Sequence, residues 1–181
     1  VSGTGKAALE ELHNQIYFKE SENQPSIYPK QIAFNVIPQC DIFLDNNFTK
    51  EEMKLTWETH KILDPNIQVQ ATCVRVPVFN GHSEAVFFRV SKEISREEII
   101  KILDRTPGLK VLDDPSSGDY PTPFENATDT EDVYVGRIRS QSLDDDCWIS
   151  MWIVADNVYG KGAALNAVQI CEELLNVGSV K

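Results

Sequence analysis

The sequence predicts an α+β fold: a mixed, largely antiparallel sheet with helices on one face. Three observations predict it. Two stretches carry a capping box ahead of an apolar periodicity, which marks helices. Short runs rich in β-branched and aromatic residues mark strands. The two kinds follow one another irregularly, in the order αβαββαβββα, with turn signals between neighbouring strands.

The elements follow in order. "TGKAALEELHNQI" is a helix, with Ala7, Ala8, Leu9, Leu12 and Ile16 giving helix formers and an apolar stripe. "FKESENQPSIYPK" breaks it with Pro25 and Pro29, and "QIAFNVIP" reads as a short buried strand stopped by Pro38. "TKEEMKLTWETHKILDP" is the clearest helix. Thr49 and Glu52 have capping-box spacing, Glu51 and Glu52 suit the positive end of the dipole, and Pro65 stops it. Met53, Trp57 and Leu63 are expected to pack inward. "IQVQATCVRVPV" and "SEAVFFRV" read as two strands joined by an Asn80-Gly81 turn. "SREEIIKILDRTPG" is a second capped helix, boxed by Ser95 and Glu98 and closed near Gly108. "LKVLDD" is a short strand, and residues 115–132 form a long loop rich in Pro, Gly and small polar residues. "VYVGRIRS" and "CWISMWIVAD" pair around the acidic turn "LDDD", and "GKGAALNAVQICEELLNV" is a closing helix.

Composition narrows the function. The chain has 181 residues, enough for a real core, with 41% hydrophobic and 25% charged residues. The net charge of -11 repels nucleic acid and anionic membranes as a whole, yet leaves room for a local cationic pocket. No run is long and apolar enough to span a membrane. Cys40, Cys73, Cys147 and Cys171 are spread out, with no CxxC and no zinc-type spacing, so no metal site is expected. They read as reduced thiols of a cytoplasmic protein, Cys73 and Cys171 as small core residues. The triplets beginning at Asn47 and Asn126 fit the glycosylation pattern; with no secretory signal expected, they read as accidental matches. The opening "VSGTGKAALEEL" has no initiator Met and reads as a cut inside a longer protein.

A few residues are chemically costly where they stand. Glu58 and Lys61 are three apart on the capped helix and share a face. They make either an exposed ion pair, worth about a few tenths of a kcal/mol, or a polar pair for a charged substrate. Arg75 and His82 flank the Asn80-Gly81 turn in "RVPVFNGHSEAV". They either decorate a surface or face one ligand, the guanidinium forking onto a carboxylate and the imidazole moving a proton. His13 and His60 read as surface helix residues. The glycine pairs Gly3/Gly5 and Gly160/Gly162 each border a helix start, a weak signal for a phosphate or cofactor edge.

Taken together, "SGTGKAALEEL", "ETHK", "RVPVFNGHSEAV", "VYVGRIR" and "DNVYGKGAALNAVQI", in this order, resemble the C-terminal part of the aspartate-semialdehyde dehydrogenase family over essentially the whole chain. The resemblance implies a fold similar to the C-terminal domain of glyceraldehyde-3-phosphate dehydrogenase. It also implies an NADP-dependent reductive dephosphorylation of aspartyl phosphate to aspartate semialdehyde, on the route to lysine, threonine and methionine. His82 matches the family's acid/base histidine. Arg75 matches the arginine for the substrate α-carboxylate, Glu58 the glutamate for the amino group, and Lys61 the lysine that helps bind phosphate. Asn157 matches the asparagine near the nicotinamide, and Gly162 a point of cofactor approach.

The same resemblance makes residues 1–181 the substrate-binding and dimerisation domain of a larger two-domain protein. NADP and the cysteine nucleophile belong to the other domain, toward which the terminal helix 160–176 packs. A homodimer through the sheet is expected, with no dehydrogenase activity in this chain alone. Two alternatives stay open: a dimerising relative without the chemistry, and a reductase of another acyl phosphate or acyl thioester.

Overall fold

The computed structural model describes residues 1–18, 25–143 and 146–176. The chain forms two compact units, the first made of Val1 with residues 3–79, the second of Ser2 with the residues from Asn80 onward.

In the first unit, α1 (Lys6–Tyr17) lays Ala8 and Leu12 into a small core with Tyr28, Ile32, Ala33 and Ile37. Two polar side chains of α1 organise the segment that follows. Glu11 Oε2 accepts from the backbone of Ser26 (2.8 Å) and Ile27 (2.7 Å) and from the Ser26 hydroxyl. Gln15 Oε1 accepts from the N–H of Ile32 and Ala33, both at 3.0 Å. Helix α2 (Lys50–Ile62) starts at the expected capping box: the Thr49 hydroxyl accepts from Glu52 N–H while the Glu52 carboxylate accepts from Thr49 N–H.

Both strands expected in this unit are absent as strands. Residues 31–38 and 67–78 meet only in one isolated antiparallel bridge, Ile37 with Arg75. The reason is competition from side chains distant in sequence. Gln15 takes the backbone donors of Ile32 and Ala33, Phe34 turns the chain with φ 59°, and Glu52 Oε1 takes the N–H of Cys73 at 2.9 Å. Side chains have claimed the groups a ladder needs. Trp57 (50% exposed) and Leu63 (72% exposed) face outward rather than inward, because α2 buries only Glu52.

The second unit is a four-stranded sheet of β1 (His82–Val90), β2 (Leu109–Val111), β3 (Val133–Leu143) and β4 (Asp146–Ala155), in the order β1-β4-β3-β2. β1/β4 and β4/β3 are antiparallel, and β2/β3 is parallel, so the sheet is mixed. Asn80-Gly81 is therefore not a hairpin turn. It leads into β1, whose partner is β4, far along the chain. The middle of the acidic turn, residues 144–145, lies outside the described residues. Helix α3 (Arg96–Asp104), capped by Ser95 and Glu98, sets Ile99 against Val135, Ile138 and Ile149. It packs on the core side of the sheet; the short helical turn Pro123–Ala127 also touches β3 and β4, whereas α4 (Ala164–Asn176) buries none of its described side chains. A bulge interrupts β3 between Gly136 and Arg139. Asp113 holds it by accepting from the N–H of Arg137 (2.7 Å) and Ile138 (3.0 Å) while pairing with Arg96 at 2.8 Å. A side chain at Gly136 would meet the Leu112 carbonyl at 2.3 Å, which is why glycine stands there.

The four cysteines are free thiols. Burial falls on Cys40 and Cys147; of the two expected core residues, Cys73 is half-buried and Cys171 exposed. No helix among the described residues is long and apolar enough to cross a membrane.

The buried carboxylates give the fold an acid limit. Backbone N–H groups of Thr49 and Cys73 hold Glu52 below its usual range. Burial pushes Glu11 up, but its bonds to Ile27 and Ser26 outweigh that and the net shift is downward. Groups depressed in the folded state stabilise it above their unfolded values and lose that contribution as pH falls through the folded ones. The urea midpoint is therefore expected to hold level down to about pH 5 and to drop below about pH 4. A midpoint unchanged at pH 3 would contradict this.

Candidate active site

In the first unit, Arg75 is fixed by its backbone. Its N–H donates to Ile37 O (2.8 Å) and its carbonyl accepts from Ile37 N–H (2.9 Å). The Cys73-to-Glu52 bond ties the same segment to the first turn of α2. The half-buried guanidinium has no hydrogen-bond or ion-pair partner among the described residues. Glu58 and Lys61 are exposed near the end of α2 and form no ion pair with each other; the pair on this helix is Lys54 with Glu51, at 3.1 Å. The unit thus presents one carboxylate and two cations uncommitted to one another. Burial pushes the Cys73 thiol up to about 11, with Cys40 and the nearby glutamates adding to it, which leaves it a poor nucleophile at neutral pH. His60 Nε2 lies 2.7 Å from Ile67 O, and the His13 ring meets Tyr17 in a tilted contact with centroids 4.6 Å apart.

In the second unit, His82 opens β1 opposite Ala155 at the end of β4. Its side chain is exposed, and no described residue bonds its ring. Gly81 has φ 99°, a conformation that favours glycine, and a side chain there would press on Pro123 at 3.1 Å. The turn after β4 carries Asn157. Its Oδ1 accepts from Gly81 N–H (3.0 Å) and from the Ser2 hydroxyl (2.7 Å), which leaves its amide N–H groups without a described partner. Gly162 closes the same turn; its N–H donates to Asp156 O, and a Cβ would strike the Asn157 backbone at 2.4–2.7 Å. The structure therefore brings His82, Asn157 and Gly162 together around one knot. Arg75, Glu58 and Lys61 belong to the first unit.

Asp156 is the residue sequence reasoning missed here. It is 1% exposed. Burial pushes its carboxyl up, yet the N–H groups of Asp129, Val158, Tyr159 and Gly160 outweigh burial and hold it below its usual range. The available signal was an Asp-Asn pair ending an apolar strand, four residues ahead of a glycine: an Asx-turn pattern. Among the described residues no group of three or more His, Cys, Asp or Glu side chains is arranged to hold a metal ion.

The family described as "Semialdehyde dehydrogenase, dimerisation domain" matches residues 1–159. An aspartate-semialdehyde dehydrogenase of Legionella pneumophila is 48% identical over 177 residues, covering 96% of this chain and 50% of that protein. The crystal structure of aspartate semialdehyde dehydrogenase II of Vibrio cholerae complexed with ASA is 45% identical. It covers 97% of this chain and 52% of that one, with a TM-score of 0.87. The Candida albicans enzyme with NADP is 27% identical, over 83% of this chain and 47% of that one, with a TM-score of 0.61. The chain thus spans about half the length of the curated relatives it matches. With the family pattern running through most of the sequence, the chain belongs to the semialdehyde dehydrogenase dimerisation-domain family.

Proposed function

We propose that this chain is the substrate-binding and dimerising part of an NADP-dependent aspartate-semialdehyde dehydrogenase. The enzyme would be cytoplasmic and would serve lysine, threonine and methionine biosynthesis. The observation that carries the reading is that His82 and Asn157, whose ring and amide N–H groups have no partner among the described residues, lie on two turns tied together. The relatives' names and the ASA complex support it.

Each side chain then has a defined task. His82 accepts the proton of a cysteine thiol supplied by the rest of the protein and later moves the proton of the hemithioacetal oxygen. Arg75 grips the substrate α-carboxylate with its fork, Glu58 meets the α-ammonium, and Lys61 helps bind phosphate. The residues present fit a nicotinamide: Asn157 offers N–H donors to a carboxamide carbonyl, while its own oxygen is already occupied. Gly162, held against Asn157, gives the cofactor a flat edge of backbone. When bound, NADP supplies the hydride chemistry. The 181-residue chain alone is inactive in this reading.

Substrate class is tested with the full-length protein. Aspartate semialdehyde should be turned over with phosphate, while analogues lacking the α-amino or α-carboxylate group should lose most of kcat/KM. Equal use of all three, or preference for an acyl thioester, would move the assignment to another acyl reductase.

The homodimer has its own support. Phe88 and Ile149 face the core side of the sheet, so Phe87 (68% exposed) and Trp148 point to the other face, where little covers them. Phe87→Glu is expected to turn a dimer into a monomer at micromolar concentration by sedimentation. A dimer that survives the substitution would place the interface elsewhere. The exposed Val168, Ile170, Leu174 and Leu175 of α4 suit packing toward the cofactor domain.

A further inference from the structure

We propose that Asp156 is a positioning residue that couples the turn opening β1 to the turn following β4, and so sets His82 relative to Asn157. This rests on the roles assigned to those two residues above. Asp156 is a buried carboxylate with no ion-pair partner among the described residues; every group it meets is an N–H donor. A buried charge is costly unless it is paired or fully hydrogen-bonded, so this arrangement has a structural cause.

The two carboxylate oxygens do different jobs. Oδ1 accepts from the N–H of Val158 (2.8 Å), Tyr159 (2.7 Å) and Gly160 (3.4 Å), which caps its own turn. A turn cap needs no more than that. Oδ2 reaches out of the turn to Asn80 Nδ2 (2.8 Å) and to Asp129 N–H (3.0 Å). Asn157, the next residue, accepts from Gly81 N–H. Each of the two residues preceding His82 is therefore pinned to one member of the Asp156–Asn157 pair.

That matters because the His82 ring has no described partner to orient it. What places it is its backbone: the ladder with Ala155 and the two pins. Asn80 has a further mark of constraint. Its Oδ1 is buried without a partner among the described residues, so the side chain's hydrogen bond there is the one its nitrogen makes to Asp156.

The test uses Asn80→Ala in the full-length protein, because it cuts the bond from Asp156 toward β1 while leaving the turn cap and the bond from Asp129 intact. The control is Asp113→Asn, another buried carboxylate of the same unit that pins a bulge remote from these residues in sequence. Asn80→Ala should lower kcat by about 10-fold or more, with KM for aspartate semialdehyde within about two-fold. It should also displace or broaden the His82 ring signals in NMR, identified by their loss in His82→Gln. Asp113→Asn should lower the melting temperature and leave both readouts alone. Asp156→Asn should exceed Asn80→Ala in effect; if it does not fold, Asn80→Ala decides. Unchanged kcat and unchanged His82 signals in Asn80→Ala overturn the proposal. A folded wild type without turnover counts against the function above, and the His82 signals then decide this proposal by themselves.

Discussion

His82→Ala in the full-length protein is expected to lower kcat by about 10²–10⁴-fold, the range of a positioned general acid/base. The side chain is exposed and makes no bond to a described residue, so its removal should not disturb the fold. The melting temperature should therefore stay with the wild type while turnover collapses. KM for the substrate should move little, since the substrate's charges are assigned to Arg75, Glu58 and Lys61. A His82→Ala enzyme within a few-fold of wild type in steady-state assays would remove the histidine from the chemistry.

Arg75→Ala has the second-largest expected effect: kcat/KM down by about 10²–10³-fold, mostly through KM. The argument is the loss of a forked, charge-assisted pair with a carboxylate. The half-buried guanidinium has no partner among the described residues that its loss would orphan, and the clasp to Ile37 uses backbone atoms alone. Arg75→Lys should recover only part of the loss, because an ammonium restores charge but not the planar fork. A loss confined to kcat, or full recovery by lysine, would contradict the assigned role.

Much of the fold was legible because its signals are local. The boxes Thr49/Glu52 and Ser95/Glu98 lie within one helical turn, and both formed as read. β3 and β4 were legible as long β-branched and aromatic runs. Residues 31–38 and 67–78 misled for a non-local reason: Gln15 and Glu52, distant in sequence, occupy their backbone donors. Asn80-Gly81 misled because a turn signal does not name its partner, and β1 pairs with β4 instead. The expected inward packing of Trp57 failed because an apolar residue on a helix does not specify which neighbour covers it.

The candidate site divides the same way. His82, Arg75, Glu58, Lys61, Asn157 and Gly162 were visible as residue types within motifs. Asp156 was not, because its meaning lies in bonds to Asn80 and Asp129, far away in sequence. The physical reason for Gly162 lies in the fold: the Asn157 backbone leaves no space for a side chain.

The most direct measurement is NADPH formation by the full-length protein from aspartate semialdehyde, phosphate and NADP, run beside the 181-residue chain alone. Phosphate-dependent turnover by the full-length protein, and none by the chain, is the predicted result. A folded full-length protein that forms no NADPH, or a 181-residue chain that turns over unaided, would contradict the account.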